Sequence, residues 1–407
     1  MLSDKINYKW VLIIVLFWVI TSDAFNSNLL IDFGSSINKI AKAFVFIWMT
    51  LYLFINYSKI TTVNSNFYKI INVFVAIPFM SSIPCFLYHE QSIMVSLFGT
   101  FFNFTTLLLF YYVLHIKQVN EKTIVAAIVC TGIIIAVIMI WQQLFPDNAY
   151  FGVPTKEEIL QGQVIEKRNG LFRFRIRGID FAMLACFLCW SKLLKRFKLS
   201  IFIFWCIFFI AIYLSLTRQI LFASLFAILI SFYLNKESSS KFSKYIVFII
   251  VIGALVYFGD SMFGEMIKDV RSNVDDSDYV RYLSYEKFWN DSFTSIMTFF
   301  LGNGYPFGDS PYNQYIFNLG LNGLYPSDVG FVGEGYHFGY IFIISYYVMV
   351  YRLIFNYRKI IPLYILMYII AMSICSVMLL PISKMGVWAF LLYICDLHIN
   401  TNKQKVC

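Results

Sequence analysis

Thr123-Ile124-Val125-Ala126-Ala127-Ile128-Val129-Cys130-Thr131-Gly132-Ile133-Ile134-Ile135-Ala136-Val137-Ile138-Met139-Ile140-Trp141-Gln142-Gln143 contains no charged side chain. A helix of this length and composition matches the hydrocarbon thickness of a bilayer, which takes about 20 apolar residues to cross. Comparable runs flank it at about 8–22, 41–57, 70–88, 92–116, 179–194, 199–216, 219–234, 245–259, 336–356, 360–380 and 385–397. The whole chain, 407 residues, is 59% hydrophobic and only 14% charged, with a mean hydropathy of +0.70. Soluble domains carry about 25% charged residues, so lipid is the expected solvent. The net charge of +9 does not point to nucleic acid, because the lysines sit in short connections between apolar runs.

These runs predict an all-α polytopic membrane protein of about 12 transmembrane helices, with one integral domain over 1–407. The start resembles a signal peptide, with Lys5 and Lys9 ahead of Trp10–Ile20, but Thr21-Ser22-Asp23-Ala24-Phe25 offers no small-x-small cleavage site. It reads as an uncleaved first span. With both termini cytoplasmic, the inside segments collect Lys59, Lys69, Lys117, Lys122, Lys192, Lys195, Arg196, Lys198 and Lys359, as the positive-inside rule requires. Two long loops, about 144–178 and about 260–335, then fall outside. They hold most of the acids of a chain that otherwise avoids charge. Cys186 and Cys189 form a CxxC inside an apolar run with no second pair or histidine nearby, which reads as helix packing and predicts no metal.

Lysine and arginine sort differently. Most lysines fall inside, whereas Arg168, Arg173, Arg175, Arg177, Arg218, Arg271 and Arg281 fall outside. Guanidinium pairs bidentately with phosphate, so this excess suggests an anionic, oxygen-rich ligand; pairing with the loop acids is the plainer alternative. In Arg173-Phe174-Arg175-Ile176-Arg177-Gly178 an extended backbone would put the cations on one face and the apolar side chains on the other. Arg218 lies in the turn between two apolar helices, where a cation is either functional or snorkels to the surface.

In the second loop, Asp278 to Phe300 reads as one amphipathic helix with Tyr282, Tyr285, Trp289, Phe293, Ile296 and Phe300 on its apolar face, suited to a membrane interface. Gly302-Asn303-Gly304-Tyr305-Pro306 ends it. Tyr312, Asn313, Tyr315, Asn318, Asn322 and Tyr325 follow, as a sugar-binding surface or an aromatic belt. Asp328, Glu334 and His337 are the general-base candidates near the outer boundary. His337 is equally suited to a backbone hydrogen bond, and His89 reads as structural. Gly335 and Gly339 have the spacing of helix-packing glycines.

Four pieces in this order resemble the O-antigen and capsular polysaccharide polymerases (Wzy-type) and the related O-antigen ligases. They are Arg177-Gly178 leading into a span, Ser215-Leu216-Thr217-Arg218 between two spans, and Arg281 through Trp289 to Leu301-Gly302-Asn303-Gly304. The fourth is Asp328-x-Gly330 followed by Gly339. The resemblance implies a C-type membrane glycosyltransferase architecture and an inverting transfer outside the cytoplasmic (inner) membrane, without metal, cofactor or nucleotide sugar. Donor and acceptor would be glycans on undecaprenyl diphosphate. Arg173, Arg175, Arg177, Arg218 and Arg281 would hold the diphosphate, and Asp328, His337 or Glu334 would take the proton. Membrane lipid, a chain-length regulator and a flippase are the further partners it implies. Ligases usually carry a His-Asn pair in the late outside loop; here His337 precedes Phe338. A ligase acting on lipid A-core, or a flippase of lipid-linked sugars, are the rival readings.

Overall fold

The computed structural model describes residues 13–14, 31–61, 63, 65–152, 165, 167–168, 170–174, 176, 178–234, 253, 280–374 and 385–406. The protein is mostly helical. Its only strand pairing among the described residues is a hairpin of β1 (Lys167–Arg168) with β2 (Leu171–Phe172).

The helices are α1 (Ile31–Ile55), α2 (Tyr57–Thr61), α3 (Tyr68–Met80), α4 (Ser82–His89), α5 (Ile93–Lys117) and α6 (Glu121–Leu144). After the hairpin come α7 (Ile179–Lys195), α8 (Leu199–Leu214) and α9 (Arg218–Leu234). The last group is α10 (Val280–Ser292), α11 (Ile296–Leu301), α12 (Pro311–Leu321), α13 (Phe331–Tyr351), α14 (Leu363–Ile374) and α15 (Met385–Val406).

Among the described residues three stretches are long and apolar enough to cross a membrane: Tyr68–His89, Glu121–Leu144 and Phe331–Asn356. Ala43–Ile55, Leu199–Leu214, Gln219–Leu234 and Leu363–Ile374 are apolar but shorter. The expected spans at 8–22 and 245–259 lie almost wholly outside the described residues.

α7 is the central post. From Ile179 to Trp190 every residue is buried, Cys186 and Cys189 included, and α6, α8 and α14 pack around it. α14 is likewise buried from Tyr364 to Met372. Helices apolar all round belong at the centre of a bundle. Residues Phe174 and Ile176 are buried in the same core, as the alternation in that stretch predicts.

Asp396 is the one charged residue of the run expected at 385–397, near its end. It is fully buried on α15 and accepts from the Asn66 backbone N–H (2.9 Å), from Asn66 Nδ2 (2.9 Å) and from the Tyr111 hydroxyl. His115 Nε2 lies 3.3 Å from its second oxygen. A buried carboxylate is tolerated where donors surround it. This one ties the turn before α3 to α5 and α15.

The single helix expected over Asp278–Phe300 is two helices. The first ends at Ser292 and Ser295 caps the start of the second: its hydroxyl accepts from Thr298 N (3.0 Å), and the Thr298 hydroxyl accepts from Ser295 N (2.9 Å). This reciprocal cap satisfies donors that a continuous helix would leave to its backbone ladder. The face that packs on the protein is separate from the aromatic face expected at a membrane interface. Ser284, Phe288 and Ser292, four residues apart, are the buried positions of α10, while Tyr282 and Trp289 are exposed. Phe288 fits against Tyr336 of α13, with ring centroids 5.1 Å apart. The two serines bond back to the carbonyls of Val280 (2.8 Å) and Phe288 (2.7 Å), so small self-satisfied residues allow close approach to α13.

Candidate functional site

α10, α11, α12 and the first half of α13 form a second packed unit, held by Phe288, Tyr312, Val329, Val332 and Tyr336, with Cys85 of α4 beside them. At its centre a loop meets a broken helix. Gly339 sits at φ 77°, ψ 165°, far from helical values, inside α13. Around the break the carbonyl of Tyr336 accepts from Asn303 N (2.7 Å), and that of His337 accepts from Gly304 N (2.9 Å). A regular helix would offer these carbonyls to Tyr340 and Ile341. The sequence spacing of Gly335 and Gly339 suggests helix packing; Gly339 instead permits this kink and a backbone contact. A Cβ on Gly339 would run into the carbonyl of Phe300, and one on Gly302 into that of His337.

Side chains complete the seam. Asn303 is buried; its Nδ2 donates to Tyr336 O (3.3 Å), so its Oδ1 faces His89 Nε2 at 3.0 Å. An amide oxygen only accepts, so His89 Nε2 carries the proton. His89 is stacked on Tyr312 (4.2 Å, 20°), and the Tyr312 hydroxyl donates to Gly304 O (3.2 Å). Burial pushes the Tyr312 phenol well above its ordinary pKa, so it remains a donor. Gln91, fully buried, holds the rest of the loop. Its Nε2 donates to Tyr305 O (2.9 Å) and Ser96 Oγ (2.7 Å), and its Oε1 accepts from Phe307 N (3.1 Å) and Ser310 Oγ (2.6 Å). Neither Gln91 nor Asn303 stands out as a site residue in the sequence. The one sign of the seam is the pair of glycines around Asn303.

Of the expected base residues, His337 is half-buried, with Nδ1 3.0 Å from Gly304 O. That carbonyl can only accept, so Nδ1 bears the proton and Nε2 is the lone-pair nitrogen of the neutral ring. Asp328 is half-buried in a 3-10 turn, Pro326–Val329, that packs on both α10 and α13. Glu334 is half-buried in the first turn of α13. Gly333 presses on the backbone of Pro326, with no room for a Cβ, which locks this turn to α13.

Of the expected cations, Arg281 is exposed in the first turn of α10. The fold therefore gathers the elements that carry Arg281, Asp328, Glu334 and His337 into one unit. Arg173 is half-buried between β2 and α7, beside a strand held to α6 by Gln143, whose Oε1 accepts from Phe172 N (3.2 Å). Arg175 and Arg177 lie outside the described residues, and Arg218 opens α9 with its side chain outside them. A meeting of the two loops over one ligand therefore involves residues that are not described.

The tyrosine- and asparagine-rich stretch divides. Tyr312 is buried and Asn313 bonds Gly308 O (2.7 Å), whereas Tyr315, Asn318, Asn322 and Tyr325 remain exposed. Lys287 bridges Asp291 (3.1 Å) and lies over the Tyr315 ring (5.7 Å from its centroid); the Asp291 carboxylate also faces the Tyr315 hydroxyl at 3.4 Å. Tyr315, and then Asp291, hold the Lys287 ammonium above its ordinary pKa despite partial burial. Among the described residues no three His, Cys, Asp or Glu side chains gather as a metal site needs.

No protein-family model matches the chain, and no curated protein matches it.

Proposed function

We propose that this chain is a membrane glycosyltransferase, a polysaccharide polymerase that joins oligosaccharide repeat units carried on undecaprenyl diphosphate at the outer face of the cytoplasmic membrane. The observation that supports the reading is that α10, which carries Arg281, and the Pro326–Val329 turn, which carries Asp328, both pack on α13, which carries Glu334 and His337 at the start of an apolar helix. A cation, two carboxylates and an imidazole are then available where a lipid-anchored diphosphate would meet water.

In this reaction an acceptor sugar hydroxyl attacks the anomeric carbon of the donor. The new C–O bond forms as the bond to the diphosphate oxygen breaks, and the configuration inverts. The hydroxyl proton goes to Asp328, His337 Nε2 or Glu334. Charge developing on the leaving diphosphate is met by Arg281 together with Arg173, Arg175, Arg177 and Arg218. The lipid anchors hold both reactants at the same depth, which supplies much of the orientation.

The test is elongation by the purified chain, reconstituted with lipid-linked repeat units. Arg281→Ala, Arg218→Ala and Asp328→Asn are each expected to lose polymer at unchanged membrane levels. In cells, single repeat units should then appear on the final acceptor. Long polymer from all three variants would overturn the reading. Polymer stranded on its carrier lipid in cells that lack the chain would mark a ligase, and transbilayer movement without elongation a flippase.

A further inference from the structure

The seam described above holds α11 at an unusual place. Phe300 O lies against Gly339, two turns into an apolar helix long enough to cross a membrane. Loop backbone at membrane depth is tolerated only where its polar groups are satisfied by protein. Here Asn303, Gly304 and Phe307 N–H groups and the Gly304 and Tyr305 carbonyls all have partners, as given above.

The side chains on the far side of α10 and α11 have none of that cover. Trp289 is 44% exposed, Phe293 48%, Ile296 79% and Phe300 44%. They are joined to α13 through Tyr340. Its ring stacks on Phe299 (4.8 Å, 20°) and meets Trp289 edge-on (5.8 Å) and Phe293 (6.1 Å). Tyr340 begins a helical stripe that continues through the exposed Ile344, Tyr347 and Tyr351, at steps of four, three and four residues. An exposed apolar stripe on a spanning helix faces lipid. The aromatic face of α10–α11 continues that stripe, and its Trp, Tyr and Phe content is that of a headgroup-level belt.

We infer that α10 and α11 form a hairpin seated in the bilayer, with Trp289, Phe293, Ile296 and Phe300 in the headgroup–acyl boundary beside α13. The occupant of this face is membrane lipid. The inference rests on the reading of α13 as a membrane span. It adds that the unit bearing Arg281 and Asp328 works on the membrane surface rather than above it.

The experiment uses the full chain in nanodiscs of phosphatidylcholine brominated at mid-chain, and tryptophan emission. The difference between the parent and Trp289→Phe isolates Trp289, and the emission added by Ile296→Trp reports on α11. Ile344→Trp is the reference for the span. All three signals are expected to lose most of their intensity in brominated lipid and to resist aqueous iodide. If the Ile344→Trp signal is quenched by lipid but those at 289 and 296 only by iodide, the hairpin stands in water and the inference is overturned. If all three answer only to iodide, α13 is not a span and the membrane reading fails with it. Protection of 289 and 296 from both quenchers would mark a protein partner on this face and also overturn the inference. Phe300→Tyr, which keeps the ring, should leave all three signals unchanged in a folded chain.

Discussion

Replacing Gly339 by alanine should open the seam between α13 and the Gly302–Gly304 loop. At φ 77°, ψ 165° the backbone lies where essentially only glycine is stable, and a non-glycine residue held in such a region costs about 1–3 kcal/mol. The new Cβ also meets the Phe300 carbonyl, so α11 must move away. Movement breaks the bonds from Asn303 N to Tyr336 O and from Gly304 N to His337 O. At about 0.5–1.5 kcal/mol each, they bring the total to roughly 2–6 kcal/mol. The assay is thermal unfolding of the full chain in nanodiscs, with hydrogen exchange resolved at residues 302–307. Gly339→Ala should lower Tm and release the protection of the Asn303 and Gly304 amides. Two controls separate the seam from general glycine loss. Gly308 has φ 63° but nothing nearer to its missing Cβ than 3.9 Å, so Gly308→Ala should cost only the left-handed penalty of about 1–2 kcal/mol. Gly335 faces only the Tyr340 ring at 3.1 Å, which can shift. If Gly339→Ala matched Gly308→Ala in Tm and kept both amides protected, the account of the broken helix would be refuted.

Other consequences are as specific. Gln91→Leu fits the space but abandons the Phe307 N–H, the Ser310 hydroxyl and the Tyr305 carbonyl; at about 1–3 kcal/mol for each buried group left unsatisfied, it should unfold the 305–310 loop, read by limited proteolysis there. Asp396→Ala strips the acceptor from Asn66 and Tyr111 and should cost at least about 3 kcal/mol by the same reasoning, whereas Asp396→Asn keeps one oxygen and should cost less in the same Tm measurement. The Lys287 link has a defined pH sense. Its folded pKa is raised, so its stabilisation is fully present below the ordinary lysine pKa of about 10.4 and is lost as pH rises through the higher folded value. Lys287→Met should therefore change Tm near neutrality and become indistinguishable from the parent in strong alkali.

Much of this protein is legible in its residues one segment at a time. Uncharged runs such as Thr123–Gln143 declare helices long and apolar enough to cross a membrane, because burying charge there is costly and nothing in the run needs water. The alternation at Arg173–Arg177 declares which side chains go inward, and Phe174 and Ile176 do so. Candidate groups such as His337 and Asp328 are found the same way, by residue type near a boundary. Periodicity cannot name the partner of a face. On α10 the aromatic stripe can be read as a membrane-interface face, but it does not show that Ser284, Phe288 and Ser292 are the residues that fit Tyr336, where small self-bonded serines let two helices approach. Nor can it show a bond between backbones: Asn303 N to Tyr336 O joins residues whose side chains carry no sign of it beyond the glycines around them. Asp396 reads as a helix-end charge until α5 and the turn at Asn66 close over it. The sequence by itself determined the apolar runs, most of the helices within them and the order of the candidate groups, since each is a local matter of composition and spacing. Only the tertiary structure decided which faces meet and which polar groups are buried together, because those depend on contacts between residues far apart in the chain.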